Sequence, residues 1–285
     1  MGYLHIVNLY KDNTIQLFKE CYALEKIHGT SAHIKWQENK LTYFAGGSSH
    51  DMFVKLFNNK VLTDIFTERF ENISVTVFGE AYGGKLQGMS ATYGKELKFV
   101  VFDVMINDLW IDVPNAEDVA TNLGLEFVSY VQIPTDLGII NEARDKESVQ
   151  AIRNGCGFGK LREGVVLRPL TECRLNNGQR VIYKHKRDEF METKTSRKVD
   201  PEKLKVLTKA SEIVDEWVTP MRLEHVLDKI ENKSMDNMKC IIKAMVEDVY
   251  REGAGEIVES KDVNKLIGTK TVTLFRIYLL QKLKY

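Results

Sequence analysis

Residues 25–30 read Glu-Lys-Ile-His-Gly-Thr and follow a mostly apolar stretch, Cys-Tyr-Ala-Leu, at 21–24. A lysine amine is a nucleophile once it has lost its proton, and enzymes use such amines to form covalent intermediates. Gly29 would let a ligand approach the backbone closely, because glycine has no side chain. Taken alone, the pattern is more typical of a surface lysine before a turn. The candidate nucleophile is therefore Lys26, and the rest of the chain must support it.

Two motifs downstream could hold a nucleoside. Phe78-Gly79-Glu80 places a carboxylate at a strand end beside glycines, where it could accept hydrogen bonds from ribose hydroxyls. Phe102 lies in an apolar run just before Asp103, and an aromatic side chain there could stack on a base. The competing interpretations are a glycine-rich turn for the first motif and a core phenylalanine for the second.

Two further motifs could hold phosphates and a metal ion. Glu163 stands at the start of a predicted strand and could bind Mg²⁺ next to phosphates, although a solvated glutamate is the alternative. Lys184 and Lys186 are two residues apart in another predicted strand, so both side chains lie on one face. Two ammonium groups on one face repel each other unless an anion such as a triphosphate lies between them. The alternative is an edge strand that lysines protect from pairing.

The periodicity predicts an α+β chain of two domains. The 285 residues are 44% hydrophobic and 28% charged, which is ordinary for a globular protein. Strands are predicted at 73–78, 99–105, 163–168 and 180–184, and helical spacing begins at Asp200-Pro201. Two shorter helical segments are expected at the end, around 263–266 and from 272 to 283. We expect a β-rich domain at 1–198 and a small all-α domain at 199–285.

Composition excludes several classes of protein. Lys plus Arg and Asp plus Glu number 40 each, so a nucleic-acid site must be a local basic patch. The four cysteines form no C-x-x-C pair, which argues against a zinc knuckle and suits a reducing compartment. The N-terminus lacks a signal-peptide pattern, and no apolar run is long enough to cross a membrane. These features predict a cytoplasmic protein without a membrane partner.

The order of the five motifs resembles that of the covalent nucleotidyltransferases, which include ATP-dependent polynucleotide ligases and mRNA capping enzymes. Residues 25–30 are most similar to RNA ligases of the double-strand-sealing bacteriophage type. Those ligases also append a helical domain, whereas capping enzymes and most DNA ligases append a β-barrel. The resemblance implies an adenylyltransferase domain of antiparallel sheets with flanking helices, followed by the helical domain.

The resemblance also implies a role for each motif residue. Lys26 would attack the α-phosphate of ATP, release pyrophosphate and carry AMP on its side-chain nitrogen. Glu163 would place the metal, Mg²⁺ or Mn²⁺. The nucleotide-binding residues would be Glu25, Ile27, His28, Gly29, Glu80 for the ribose, Phe102 for the adenine, and Lys184 and Lys186 for the phosphates.

One departure from the family pattern concerns an arginine. The family carries one about a strand after the nucleophile, near the bound nucleotide and the reacting ends. Residues 31–68 contain no arginine, and the corresponding stretch, 44–50, reads Phe-Ala-Gly-Gly-Ser-Ser-His. Lys40 or Lys55 could substitute, although a lysine lacks the flat fork of a guanidinium.

The substrate that the resemblance implies is RNA with 5′-phosphate and 3′-OH ends, as in a nicked duplex, and the protein would act as a monomer. A ligase of DNA or mixed RNA–DNA strands is the nearest alternative. A protein that binds nucleotide or RNA without catalysis is a second, although such a protein has no need of Lys26. The residues expected to contact RNA are Arg187, Lys194, Arg197 and Lys198.

Replacing Arg197 and Lys198 with alanine tests this patch. We expect weaker RNA binding, with the slope of log affinity against log salt reduced by up to about 2, because each lost phosphate contact removes about one released counterion. Binding measured across a salt series gives both quantities. An unchanged affinity and slope would exclude the patch.

Overall fold

The chain divides into two compact units, Met1–Arg187 and Asp188–Tyr285. The description rests on a computed structural model, in which residues 2–195, 199 and 209–282 are described. Arg197 and Lys198, which sequence assigns to RNA contact, lie outside the described residues. The predicted helix start at Asp200-Pro201 also lies outside them.

The first unit contains two five-stranded sheets. The first sheet has the order β1-β10-β9-β2-β8, and the second has the order β4-β3-β5-β6-β7. Neighbouring strands pair antiparallel, as expected, except β1 and β10, which are parallel. The strands are β1 (Val7–Asn8), β2 (Glu20–Lys26), β3 (Thr30–Gln37), β4 (Lys40–Phe44), β5 (Val75–Gly83), β6 (Leu97–Ile106), β7 (Leu109–Trp110), β8 (Tyr130–Pro134), β9 (Gly164–Pro169) and β10 (Tyr183–Lys186).

Six helices accompany these sheets. Four of them begin at a capping side chain that accepts a hydrogen bond from the first turn, namely Asn58, Asp112, Asp136 and Ser148. The helices are α1 (His50–Val54), α2 (Asn59–Phe70), α3 (Ser90–Tyr93), α4 (Val113–Asn122), α5 (Leu137–Asp145) and α6 (Val149–Arg153).

Buried apolar side chains of the second sheet form the main core. Val75 and Val77 are fully buried, whereas Ile73, which the alternation at 73–78 assigns to the same face, lies before β5 and is 41% exposed. The indole of Trp36 stacks on the ring of Phe66 from α2, with centroids 5.6 Å apart. This packing buries one face of the sheet and leaves the other to carry polar side chains.

In the second unit, the described residues form four helices that share one apolar core. These are α7 (Ala210–Trp217), α8 (Pro220–Asp228), α9 (Met238–Glu252) and α10 (Lys261–Lys282). Helix α8 begins at Pro220, because the Thr219 side chain accepts a hydrogen bond from the Arg222 amide. The two short segments expected near the end are instead the single helix α10. Gly268 lies inside α10 beside Ile242 of α9, and a Cβ built there would be in ordinary van der Waals contact with that side chain, at 3.4 Å.

A buried arginine ties residues 188–195 to the second unit. Arg222 is 1% exposed, and its Nη1 lies 2.6 Å from Asp248 Oδ2 and 3.7 Å from Glu192 Oε2. His225 Nδ1 lies 2.7 Å from the other oxygen of Glu192. These contacts explain why the units divide at 187/188 rather than at the predicted 198/199.

No helix in the described part of the chain is both long enough and apolar enough to cross a membrane.

Replacing Arg222 with methionine should destabilise the second unit by about 3–5 kcal/mol, because the change removes the buried cation that compensates the carboxylates of Asp248 and Glu192. Hydrogen–deuterium exchange of α8 and α9 measures the effect locally. Lys243→Met, on the exposed face of α9, is the matched control. Equal exchange in the two variants would contradict this role for Arg222.

Candidate active site

Glu163 is the centre of a cluster of charged side chains. Its carboxylate is 1% exposed, and its Oε2 lies 2.9 Å from Lys26 Nζ and 3.1 Å from His28 Nδ1. Its Oε1 lies 2.7 Å from Lys186 Nζ. The structure thus brings together four residues from three separate sequence motifs.

Strand register explains why these residues meet. In β2 and β9, Lys26 pairs with Gly164, the residue after Glu163. In β9 and β10, Gly164 pairs with Lys186. The Glu163 amide donates to the Lys26 carbonyl at 3.3 Å, and the Arg187 amide donates to the Glu163 carbonyl at 2.9 Å. The ends of three adjacent strands therefore place the nucleophile candidate, the carboxylate and a motif lysine side by side.

The surrounding cations keep Glu163 ionised. Burial alone would raise the pKa of its carboxyl, but the charges of Lys186, Lys26 and His28 outweigh burial and hold the pKa well below its usual value. Lys26 and Lys186 still exceed this one carboxylate by one positive charge. The cluster is suited to an anionic ligand such as a phosphate chain.

Glu80 reaches the same site from the second sheet. Its Oε1 accepts a hydrogen bond from the Gly29 amide at 3.1 Å. A Cβ on Gly29 would lie 2.3 Å from the Ala81 carbonyl oxygen, so only glycine fits at this crossing. Burial raises the pKa of Glu80 to about 7, with Lys26 opposing the shift and Glu163 adding to it. This position is compatible with the predicted ribose contact.

Glu25 points to the opposite side of β2 from Lys26. Its carboxylate accepts hydrogen bonds from the Ser148 hydroxyl at 2.6 Å and the Val149 amide at 2.9 Å, and it lies 3.8 Å from Arg162 Nη2. The Glu25 side chain therefore anchors β2 to the start of α6. Only the main chain of Glu25 is left to contact a nucleotide. The sequence analysis did not identify Arg162 as a site residue. The one feature that could have indicated it is its position directly before Glu163.

Phe102 is half-buried beside a network that the sequence did not reveal. Its ring lies 4.8 Å from that of Tyr3, whose hydroxyl donates to Asp103 at 2.5 Å. Asp103 also accepts from Arg168 at 2.9 Å and from Arg180 at 2.7 Å, so this carboxylate joins the two sheets. In the sequence, only the aromatic–acid pair at 102–103 pointed to this network, because the residues that bind Asp103 are far from it along the chain.

The remaining nucleotide-binding candidates are buried. Ile27 is 4% exposed and belongs to the main core. Lys184 is buried in β10 and pairs with Val166 of β9, two residues before Lys186 on the same strand. Between them, His185 contacts Asn141 of α5 at 2.7 Å, which is consistent with both lysines facing the opposite side.

An alanine occupies the stretch where the family has its arginine. Ala45 is 6% exposed and packs against Phe53 of α1. Lys40 begins β4 at its far end, about 13 Å along the strand from Phe44. Lys55 follows the last residue of α1. Lys40 is therefore a poor substitute for the arginine. That Lys55 substitutes for it stays a prediction.

The two described RNA-contact candidates differ in their surroundings. Arg187 Nη1 donates to the Asp145 carbonyl at 2.8 Å, and its side chain is 14% exposed. Lys194 is exposed, and its amide donates to the Glu216 carbonyl at 2.9 Å. Lys194 is thus open to a ligand, whereas Arg187 is already partly engaged.

Comparison with known proteins identifies the class of this site. The family model described as RNA ligase matches residues 19–186, more than half of the chain. This range contains every residue of the Glu163 cluster. The chain belongs to the RNA ligase family.

Solved structures agree in fold. The RNA ligase of Naegleria gruberi solved with PPi is 14% identical at a TM-score of 0.51, over 67% of this chain and 57% of that one. Two lysine-to-alanine variants of it, both with ATP and Mn, match at the same TM-score with 13% and 14% identity. Both matches again cover 67% of this chain, and 56% and 57% of the variants. This chain therefore spans little more than half the length of those structures.

The raised pKa of Glu80 predicts a pH-dependent stability. Between its unfolded pKa of about 4.5 and its folded pKa of about 7, the folded protein holds a proton that the unfolded chain has lost. The free energy of unfolding should therefore fall as pH rises through this window. In Glu80→Gln this contribution is absent, so urea unfolding from pH 4 to 8 should show a smaller decline.

Glu68→Gln, at an exposed position on α2, is the matched control and should follow the unmodified protein. If Glu80→Gln also followed it at every pH, Glu80 would not be the titrating group.

Proposed function

We propose that this chain is an ATP-dependent RNA ligase that works through a lysyl-AMP intermediate. The observation that carries the proposal is that Lys26, His28 and Lys186 all lie within 3.1 Å of the buried carboxylate of Glu163. Membership of the RNA ligase family supports it. The match of fold to a ligase solved with ATP and Mn is consistent with it.

In the first step, the nitrogen of Lys26 attacks the α-phosphorus of ATP. A P–N bond forms, the bond to the β-phosphate oxygen breaks, and pyrophosphate leaves. Phosphoryl transfer of this kind depends mainly on in-line positioning and on neutralising charge. Lys184 and Lys186 would supply positive charge beside the phosphates, and Glu80 would hold the ribose.

The later steps use the RNA ends. AMP passes from Lys26 to the 5′-phosphate of RNA, and the adjacent 3′-OH then displaces AMP and seals the strand. The proposed substrate is a nicked duplex, as for the double-strand-sealing bacteriophage type, and the proposed active species is a monomer in the cytoplasm. RNA repair is the biological role that fits this chemistry.

The donor set supports a divalent metal that is bound largely by the substrate. Among the described residues, no three His, Cys, Asp or Glu side chains are grouped as metal ligands. Glu163 would hold Mg²⁺ or Mn²⁺, and phosphate oxygens and water would complete the coordination. Once bound, such an ion neutralises phosphate charge and orients the reacting groups.

Labelling with α-³²P-ATP and Mg²⁺, followed by denaturing electrophoresis, tests the proposal. Label should remain on the unmodified protein and be absent from Lys26→Ala, because the variant lacks the nitrogen that bonds to phosphorus. Acid should release the label and alkali should not, as expected of a P–N bond.

Lys40→Ala is the matched control and should retain label. Loss of label from both variants, or from neither, would contradict the assignment. The labelled protein, supplied with nicked duplexes of RNA, DNA or hybrid strands, should transfer AMP to nicks with RNA ends; transfer only to DNA nicks would favour the alternative ligase.

A further inference from the structure

A cavity in the first unit lies apart from the Glu163 cluster. Its volume is about 280 Å³, and its apolar surface comes from the N-terminal segment and the strand region before β10, through Leu4, Val7 and Ile182. Trp110 and Arg180 form one wall, and Arg174 also lines it. Tyr3 separates it from Phe102, since its ring lies 4.8 Å from Phe102 and 5.5 Å from Trp110. This is not the predicted adenine position.

The wall of the cavity is rigid and electrically balanced. The Arg180 guanidinium stacks on the Trp110 ring at 4.0 Å from its centroid. Its nitrogens donate to Glu172 at 2.6 and 2.8 Å and to Asp103 at 2.7 Å. Two carboxylates therefore already compensate Arg180, together with Arg168.

Arg174 carries a charge that this network does not compensate. It pairs directly with Arg180 across a short antiparallel bridge, where two like charges destabilise each other. Arg174 is exposed, and none of the described residues forms an ion pair with it. The lining thus combines apolar surface with one cation that lacks a counter-charge, as in sites for an amphipathic anion.

We propose that this cavity binds one nucleotide of the RNA strand, with the base against Leu4, Val7 and Ile182 and the phosphate at Arg174. The inference rests on the proposed function, because RNA is the anionic ligand of such an enzyme. The volume is slightly below the roughly 300–1,000 Å³ of ordinary ligand pockets, so it fits a single nucleotide and not a duplex. Bases are flat and largely apolar on their faces, which suits this lining.

Charge reversal at Arg174 tests the proposal. Fluorescence anisotropy with a labelled single-stranded oligoribonucleotide should show Arg174→Glu binding about tenfold more weakly, with the salt slope reduced by about 1. Arg69→Glu, an exposed arginine on α2, makes the same change in net charge and should stay within about twofold of the unmodified protein. Equal losses in both variants, or none in Arg174→Glu, would overturn the subsite.

Two further measurements distinguish failure of the subsite from failure of the proposed function. Free AMP in excess should not compete with the oligonucleotide; competition that Arg174→Glu abolishes would show a site for free nucleotides and overturn the assignment to the strand. Self-adenylylation with labelled ATP should be the same in Arg174→Glu as in the unmodified protein. Failure of the unmodified protein to label would reject the proposed function, whereas unchanged RNA affinity in a labelling-competent Arg174→Glu would reject only the subsite.

Discussion

The buried carboxylate of Glu163 is the interaction on which the rest of the site depends. A carboxylate that is 1% exposed would be strongly destabilising without partners, and Lys26, His28 and Lys186 supply them. These partners can reach it only if β2, β9 and β10 keep their register. The same register holds Lys186 beside the lysine that is proposed to react, so the contacts that compensate the buried carboxylate also position a cation proposed to bind a triphosphate.

The second sheet contributes polar and charged contacts that fix the geometry of the site. Glu80 joins the cluster through the Gly29 amide, and Asp103 links the sheets through Arg168 and Arg180. Because both links are charged or polar and partly enclosed, they fix geometry more specifically than apolar contacts do. The chain is neutral overall, and the positive charges that we propose to contact phosphates are local, in the Glu163 cluster and at Arg174.

Sequence alone could predict the local parts of this account. Alternation identified β5, an apolar run identified β6, and spacing placed Lys184 and Lys186 on one strand. It could not find Arg162 beside Glu25, or Tyr3 beside Asp103, because those partners are separated by about 100 residues or more and carry no motif. It also predicted two short segments, at 263–266 and 272–283, where the structure has the single helix α10, which runs through Gly268 although glycine disfavours a helix interior by about 1 kcal/mol.

Tandem mass spectrometry of the protein after incubation with ATP and Mg²⁺ tests the central claim most directly. Peptide mapping should locate a single adenylate on the nitrogen of Lys26, and Glu163→Gln should reduce its yield without moving it. An adenylate on another residue, or a stable complex with ATP that never becomes covalent, would contradict the account.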